Sequence, residues 1–283
     1  MLGALSLKAV GMPRVVDFQA LLDQLKPSPK MPALFLGHGS PMYAITNNEF
    51  AKSWQQLGEK LPTPQAILCV SAHWETRGTT LVQVSTKPET IHDFYGFPQA
   101  LFDVEYPAPG APDVAREVAA MLQDHHGHET MEWGLDHGAW SVLRHLFPQA
   151  NVPVFQLSID MSQSLKDQYE LARQLRSLRE KGVMIIGSGN VVHNLRALRP
   201  EGEQQDWALA FDHQVEQFLQ NGDHVGLTQL QSNQHLFAAA HPTYEHFSPA
   251  IYVAAVADEG DQLAFFNAQV NMGSISMRSF IYF

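Results

Sequence analysis

Four short apolar runs, at residues 33–36, 66–70, 152–159 and 183–187, constrain this chain more than any other feature. They are rich in Leu, Ile and Val and are bounded by Gly, Pro, Ser or charged residues. Runs of this length and composition read as buried strands. Helical patterns lie between and after them. Residues 111–124 carry Pro112 in the first turn, and 164–181 are closed by Gly182. Residues 206–220 run into Asn221-Gly222, and 248–257 open with Ser248-Pro249. Strand-like segments follow at 81–84, 263–270 and 274–283. Strand and helix alternate without a linker, which predicts one α/β domain with three layers, α/β/α, around a central sheet. That sheet should be mostly parallel but mixed, because the last strands follow one another through a short turn.

The regular domain is expected over 31–283, with 1–30 as an N-terminal extension. In the extension, Val15, Phe18, Leu22 and Leu25 recur at helical spacing before the Lys-Pro-Ser-Pro-Lys break at 26–30. The first residues lack a basic region and a cleavage site, so no signal peptide is expected. No apolar stretch approaches 18 residues, so no membrane span is expected. The net charge of −11 argues against a nucleic-acid or anionic-membrane partner. With the single cysteine, Cys69, no intrachain disulfide can form, and a cytoplasmic location is expected. Composition does not fix the oligomeric state, and an oligomer is compatible with it.

Four histidines stand just past an apolar run or just before a helix start: His38 in LGHGSP, His73 in VSAHWE, His193 in GSGNVVHN and His246 in YEHFSP. In an open α/β sheet, loops leaving the carboxyl ends of strands form the ligand crevice. Several imidazoles delivered to one edge suggest a metal site, since neutral imidazole is a common ligand for zinc and non-haem iron. Glycines around His38 let backbone approach a ligand closely. A helix N-terminus disfavours imidazolium at His246. His137, in WGLDHGAW, stands at another expected helix entry. Asp124, Asp136 and Glu245 are carboxylates that could join such a site.

The remaining histidines are less marked. His125, His126 and His128 read as a solvated turn, His213 and His224 as helix surface or loop, and His235 and His241 as near the site in sequence only. Gly187-Ser188-Gly189 lacks the third glycine of a dinucleotide motif. There is no HExxH, cysteine-based zinc spacing, GxSxG elbow or P-loop. The stretch 88–112 has few regular signals and many aromatics; it reads either as a cover for a flat aromatic ligand or as a loop packing its own rings.

Taken in order, the segments FLGHGSPM (35–42), VSAHWETRG (70–78), TIHDFYGFP (90–98), YPAPG (106–110), WGLDHGAW (133–140), QLSID (156–160), GSGNVVHNL (187–195) and PTYEHFSP (242–249) resemble the class III extradiol dioxygenases, in particular the 4,5-DOPA extradiol branch. The resemblance covers about residues 31–283. It implies ring opening of a catechol with O₂ at one divalent metal. By motif it implies His38, His73 and His246 as ligands, His193 as acid/base at the metal and His137 beside the substrate oxygens. Relatives with a two-His, one-carboxylate triad make Glu245 the alternative to its neighbour His246. Fe(II) is the metal expected for dioxygenase activity. An all-His set also takes zinc readily, and His193 could join it as a further ligand in a resting zinc form.

On this reading Gly187, Ser188 and Gly189 leave space and backbone donors beside the substrate, or else simply make a tight turn. Arg77 is a candidate partner for a substrate carboxylate. The same residues would also serve a zinc-dependent hydrolase, with His193 as base, and a non-catalytic metal-binding interaction module is the third reading. The presence of His193, which a scaffold does not require, weighs against the last.

Overall fold

The computed structural model describes residues 12–18, 30–200, 202–232 and 234–283. The apolar runs become the inner strands β2 (Ala33–Gly37), β3 (Ala66–Thr76), β6 (Val154–Asp160) and β7 (Val183–Gly189). Successive strand residues point to opposite faces, and both faces are covered. Ala33, Phe35, Leu68, Val70, Phe155 and Ile185 enter one core, while Leu34, Leu36, Ile67, Cys69, Val154 and Ile186 enter the other. This double burial is why the runs of β2, β3 and β7 are continuous; β6 alternates, and its Gln156 and Ser158 are buried with hydrogen-bond partners.

The outer strands are β1 (Arg14–Val16), β4 (Thr80–Gln83), β5 (Gly127–Thr130), β8 (Gln262–Phe266) and β11 (Ser279–Tyr282); β9 (Val270–Asn271) and β10 (Ile275–Ser276) pair as a separate ribbon. Among the described residues the main sheet has nine strands in the order β1-β8-β11-β2-β7-β3-β6-β4-β5. The inner strands β2, β7, β3 and β6 are mutually parallel, while β11 runs antiparallel to β2 and β8, and β4 antiparallel to β6. The sheet is therefore mixed and mostly parallel, as the sequence suggests.

One face is covered by α1 (Glu49–Gly58) and α3 (His137–Leu146), through Phe50, Trp54, Trp140 and Leu143. The other is covered by α2 (Pro112–Met121), α4 (Leu165–Arg173), α5 (Asp206–Gln220) and α6 (Ser248–Ala255). Helix α5 has the bounds read from sequence. Helix α4 ends at Arg173, and a 3-10 turn carries the chain on to Lys181, where Gly182 at φ +78° closes it. Helix α6 is capped by Phe247, and the Ser248 hydroxyl donates to the Tyr244 carbonyl instead of capping.

Two expectations change. Val15 does not begin a helix: β-branched Val15 and Val16 lie in an edge strand parallel to β8, where branched side chains fit a pleated surface. The rest of that expected helix, 19–29, lies outside the described residues, while Phe18 stacks on Phe266 at 4.7 Å. Nor does β3 end before His73. It continues to Thr76, and its register against β6 shifts between Val70 and Glu75. Such an irregularity re-aims side chains, and it is where Ser71, Ala72 and His73 sit.

Candidate metal centre

At the carboxyl edge of the inner strands, one cavity of about 790 Å³ is lined by His38, His73, His137, His193 and His246. Each arrives by a different route. His38 follows the last residue of β2, with its N–H held by the Gly189 carbonyl at 3.0 Å. His73 projects from the irregular part of β3. His137 opens α3, whose N-cap is Asp136. His193 lies four residues beyond β7 and bridges Ile275. His246 immediately precedes the cap of α6.

The closeness of β7 and α6 explains Gly187 and Gly189. A Cβ at Gly189 would meet the His246 carbonyl oxygen at 2.2 Å, and one at Gly187 would meet the Pro249 carbonyl oxygen at 2.5 Å. The absent side chains therefore admit the backbone that carries His246, rather than leaving space for a substrate. The Asn190 N–H donates to the same His246 carbonyl at 2.9 Å.

Four of the five rings are held by their Nδ1 atoms. The Ser188 hydroxyl donates its one proton to the Gly138 carbonyl, so it accepts from His38 Nδ1 at 3.0 Å, and Nε2 of His38 is left bare toward the cavity. Asp93 accepts from the backbone N–H and Nδ1 of His137, both at 2.9 Å, and lies 3.5 Å from Nδ1 of His73. Glu245 accepts from His246 Nδ1 at 2.9 Å. Carboxylate or hydroxyl partners on the far nitrogen are the usual means of orienting ligating imidazoles. His193 differs: among the described residues no hydrogen bond engages its ring, which stacks face to face on His246 with centroids 3.4 Å apart.

The donor set suits a divalent metal. Nε2 of His38 and Nε2 of His73 stand 3.2 Å apart, close to the about 3.3–3.4 Å edge of a tetrahedron with 2.0–2.1 Å metal–nitrogen bonds. His38, His73 and His137 each offer an atom within 4.8 Å of the others, compatible with a single metal ion, and so do His193, Glu245 and His246. The ring centroids of His38, His73 and His246 are almost equidistant, at 5.1, 5.3 and 5.0 Å. Three imidazoles on one tetrahedral ion would place their centroids about 5.2 Å apart. His137 is lopsided by this measure, 3.8 Å from His73 and 5.8 Å from His38.

Burial keeps the rings neutral and so able to ligate. His38, His73 and His246 are held well below the ordinary histidine pKa by loss of water first and by neighbouring imidazoles second. His193 is lowered to about 4 for the same reasons, which is further than a base tuned to working pH would need. Burial would raise Asp93, but the hydrogen bonds from His137 and the two adjacent rings hold it below the usual carboxylate range.

Several expected participants lie elsewhere. Asp136 is buried with its oxygens engaged by the Ala139 N–H, the Ser71 hydroxyl and the Gln156 amide, so it is a helix cap. Asp124 belongs to an exposed turn with His125, and His128 lies on edge strand β5. Arg77 does not line the cavity; Arg196 does. His213 is exposed on α5, as read, but His224 is buried with Nε2 3.0 Å from the Tyr282 hydroxyl. His241 is buried against the Val191 carbonyl. Asp93 was missed among the candidate carboxylates although it lies in the TIHDFYGFP segment; the signal was an acid at the mouth of an aromatic loop. In that loop Phe94, Tyr95 and Phe97 line the cavity, and the Phe94 ring lies 5.5 Å from that of His137. The loop also packs on itself through Phe94, Phe97 and Phe102, so both readings of it hold in part.

Residues 32–276 match the family described as the catalytic LigB subunit of aromatic ring-opening dioxygenase. The chain is 43% identical over 262 residues to a protein of Escherichia coli (strain K12) named 4,5-DOPA dioxygenase extradiol, covering 91% of this chain and 96% of that one. A protein of Beta vulgaris with the same name is 35% identical over 257 residues, covering 87% and 94%. The crystal structure of an uncharacterized protein from Escherichia coli K12 superposes with a TM-score of 0.75 at 36% identity, covering 89% of this chain and 99% of that one.

Proposed function

The chain belongs to the family of the catalytic LigB subunit of aromatic ring-opening dioxygenase, and from that premise we propose that it opens single-ring catechols of the DOPA type with O₂, cleaving outside the two hydroxyls. His38, His73 and His246 hold one Fe(II), and zinc competes for the same place. The observation that carries this reading is the near-equilateral spacing of those three rings, each with its far nitrogen oriented or in reach of a carboxylate. When bound, the metal would supply Lewis-acid binding of the catechol oxygens and activation of O₂.

The remaining work falls to the protein. A catechol must shed protons to chelate, and His193, neutral and without a hydrogen-bond partner among the described residues, accepts one from a hydroxyl and returns it later. His137, fixed by Asp93, presents Nε2 to the substrate oxygens. Phe94 and Phe97 provide an apolar wall for the ring. Both atoms of O₂ enter the product: the hydroxyl-bearing carbon becomes a carboxyl group and its unsubstituted neighbour an aldehyde, so no external reductant is consumed. The buried Cys69 thiol fits a reducing cytoplasm, and no helix among the described residues is long and apolar enough to cross a membrane.

The test is anaerobic reconstitution with Fe(II), then O₂ uptake with DOPA, caffeate and protocatechuate alongside the absorbance of the ring-opened product. Stoichiometric O₂ consumption is expected. No uptake with any catechol, together with metal-dependent ester or amide hydrolysis, would assign the site to a zinc hydrolase.

A further inference from the structure

Exposed apolar side chains are not scattered evenly over this protein. Among the described residues seven large hydrophobic side chains stand exposed, and three of them, Tyr95, Leu195 and Leu198, line the cavity that holds the histidines. Single exposed leucines are ordinary, but a group of them at a pocket mouth marks a binding surface.

The two leucines belong to a short 3-10 turn, Leu195–Ala197, which follows His193 and ends at Leu198. Positions three apart in such a turn fall on the same side. The backbone beneath them is pinned. The Asn194 N–H donates to the Ser274 carbonyl at 3.2 Å, and the Ser274 hydroxyl donates back to the Asn194 carbonyl at 2.8 Å. The Gln205 amide donates to the Ala197 carbonyl at 2.6 Å, and the Arg199 N–H to the Met272 carbonyl at 2.9 Å. These bonds lay residues 193–199 alongside 272–275, where His193 bridges Ile275. Met272 and Ile275 line the cavity too. The result is a hydrocarbon strip that runs from Ile275, 2% exposed beside His193, out to Leu198 at 39% and Leu195 at 62%. A cavity of about 790 Å³ is of the size that takes a drug-sized ligand, so a lone ring leaves part of it unfilled.

We propose that this strip is the outer half of the substrate site and selects catechols that carry an uncharged hydrocarbon arm on the side of the ring away from the hydroxyls. The assignment rests on the ring-opening reading above and goes beyond it, since that reading concerns the ring and its two oxygens. With the oxygens at the buried histidines, such an arm leads toward the exposed mouth, along the strip. Leu195 and Leu198 are then specificity-determining residues. They touch the arm rather than the reacting atoms, and their own apolar surface leaves water when the arm binds.

The experiment titrates the zinc-loaded enzyme anaerobically, by calorimetry, with catechol and its 4-methyl, 4-ethyl, 4-propyl and 4-butyl derivatives. O₂ uptake by the Fe(II) enzyme is followed with the same series. A fully buried methylene is worth about fourfold in affinity and a half-covered one about twofold, so affinity should rise about 8–60-fold from methyl to butyl. The double variant L195S/L198S should flatten that rise to less than about threefold and leave unsubstituted catechol within about twofold of the parent. L209S removes an exposed leucine outside the cavity lining and should keep the full rise.

A flat series in the parent, with O₂ still consumed, overturns the strip while ring opening stands. Equal weakening of catechol and every derivative in L195S/L198S also overturns it, because the leucines would then merely support the loop after His193. So does a rise that survives the double variant; if sedimentation then shows a parent oligomer that the variant loses, the leucines face a second copy of this chain. No catechol binding and no O₂ uptake removes the ring-opening premise, and the strip's assignment with it.

Discussion

Replacing Gly189 by alanine tests whether the end of β7 is there to admit the backbone of His246. The added Cβ would sit 2.2 Å from the His246 carbonyl oxygen, 3.1 Å from its carbonyl carbon and 3.2 Å from Pro249 Cγ. An ordinary contact needs about 1 Å more, and the obstructing atom is backbone, so it cannot swing away. Strand β7 cannot retreat easily, because the Gly189 carbonyl holds the His38 N–H and the strand is paired on both sides with β2 and β3. The segment carrying His246 must therefore move. Overpacking of this kind costs about 1–3 kcal/mol, and loss of the Asn190 N–H to His246 carbonyl bond adds about 1 kcal/mol. For a chain this long that corresponds to a fall in Tm of about 3–7 °C.

The larger effect should be on the metal. Ligand positions tolerate only about ±0.2 Å, so a shift near 1 Å at His246 should weaken zinc binding by about 10–100-fold or more, a loss of the size seen when orienting partners are removed. Chelator competition measures the affinity, and circular dichroism melting measures the stability. Gly78→Ala is the control. Its Cβ would meet nothing within 4 Å, but its φ of +76° strains any side chain. It should cost about 1 kcal/mol of stability and leave metal affinity intact. Zinc affinity within a factor of about two of the parent in Gly189→Ala would refute the reasoning.

Ser188→Ala removes the group that fixes the His38 tautomer; metal affinity should drop about 10–100-fold with the fold retained, as read by chelator competition and circular dichroism. His193→Ala should cut turnover about 10²–10⁴-fold while most of the metal stays bound, whereas His246→Ala should lose metal; the opposite pair of results in metal analysis would exchange their roles. His224, lowered to about 4 chiefly by burial, stays neutral in the fold while the unfolded chain takes up a proton below about 6.5. Its share of stability is therefore present above pH 6.5 and lost as pH falls toward 4, by up to about 3 kcal/mol. In urea titrations across that range, His224→Gln should show a correspondingly flatter loss than the parent, and parallel curves would count against the assignment.

Local chemistry was enough for much of the architecture. Apolar runs declared buried strands, Pro112 and Gly182 punctuated helical segments, and His38 and His137 stand at element ends where the flanking residues placed them. The aromatic content of 88–112 likewise marked a loop that either covers a pocket or packs its own rings, and the histidines gathered in one cavity came from four separate strand-end or helix-start motifs and one helix entry.

What required the tertiary structure was every relation between residues far apart in the chain. The partner that sets the His38 tautomer, Ser188, is 150 residues away, and Asp93 reaches His137 across 44. His73 owes its aim to a register shift against β6, which depends on both strands and is written in neither. His224 has the sequence context of a helix start on the surface, yet Tyr282 from the last strand folds over it. Arg77 and Arg196 are equally plain as sequence, and only the course of the loop after His193 puts one of them at the cavity rim. Periodicity and turn chemistry act over a few residues, so they specify elements. Which side chains meet is fixed by how the sheet orders its strands, and that order is a property of the whole core.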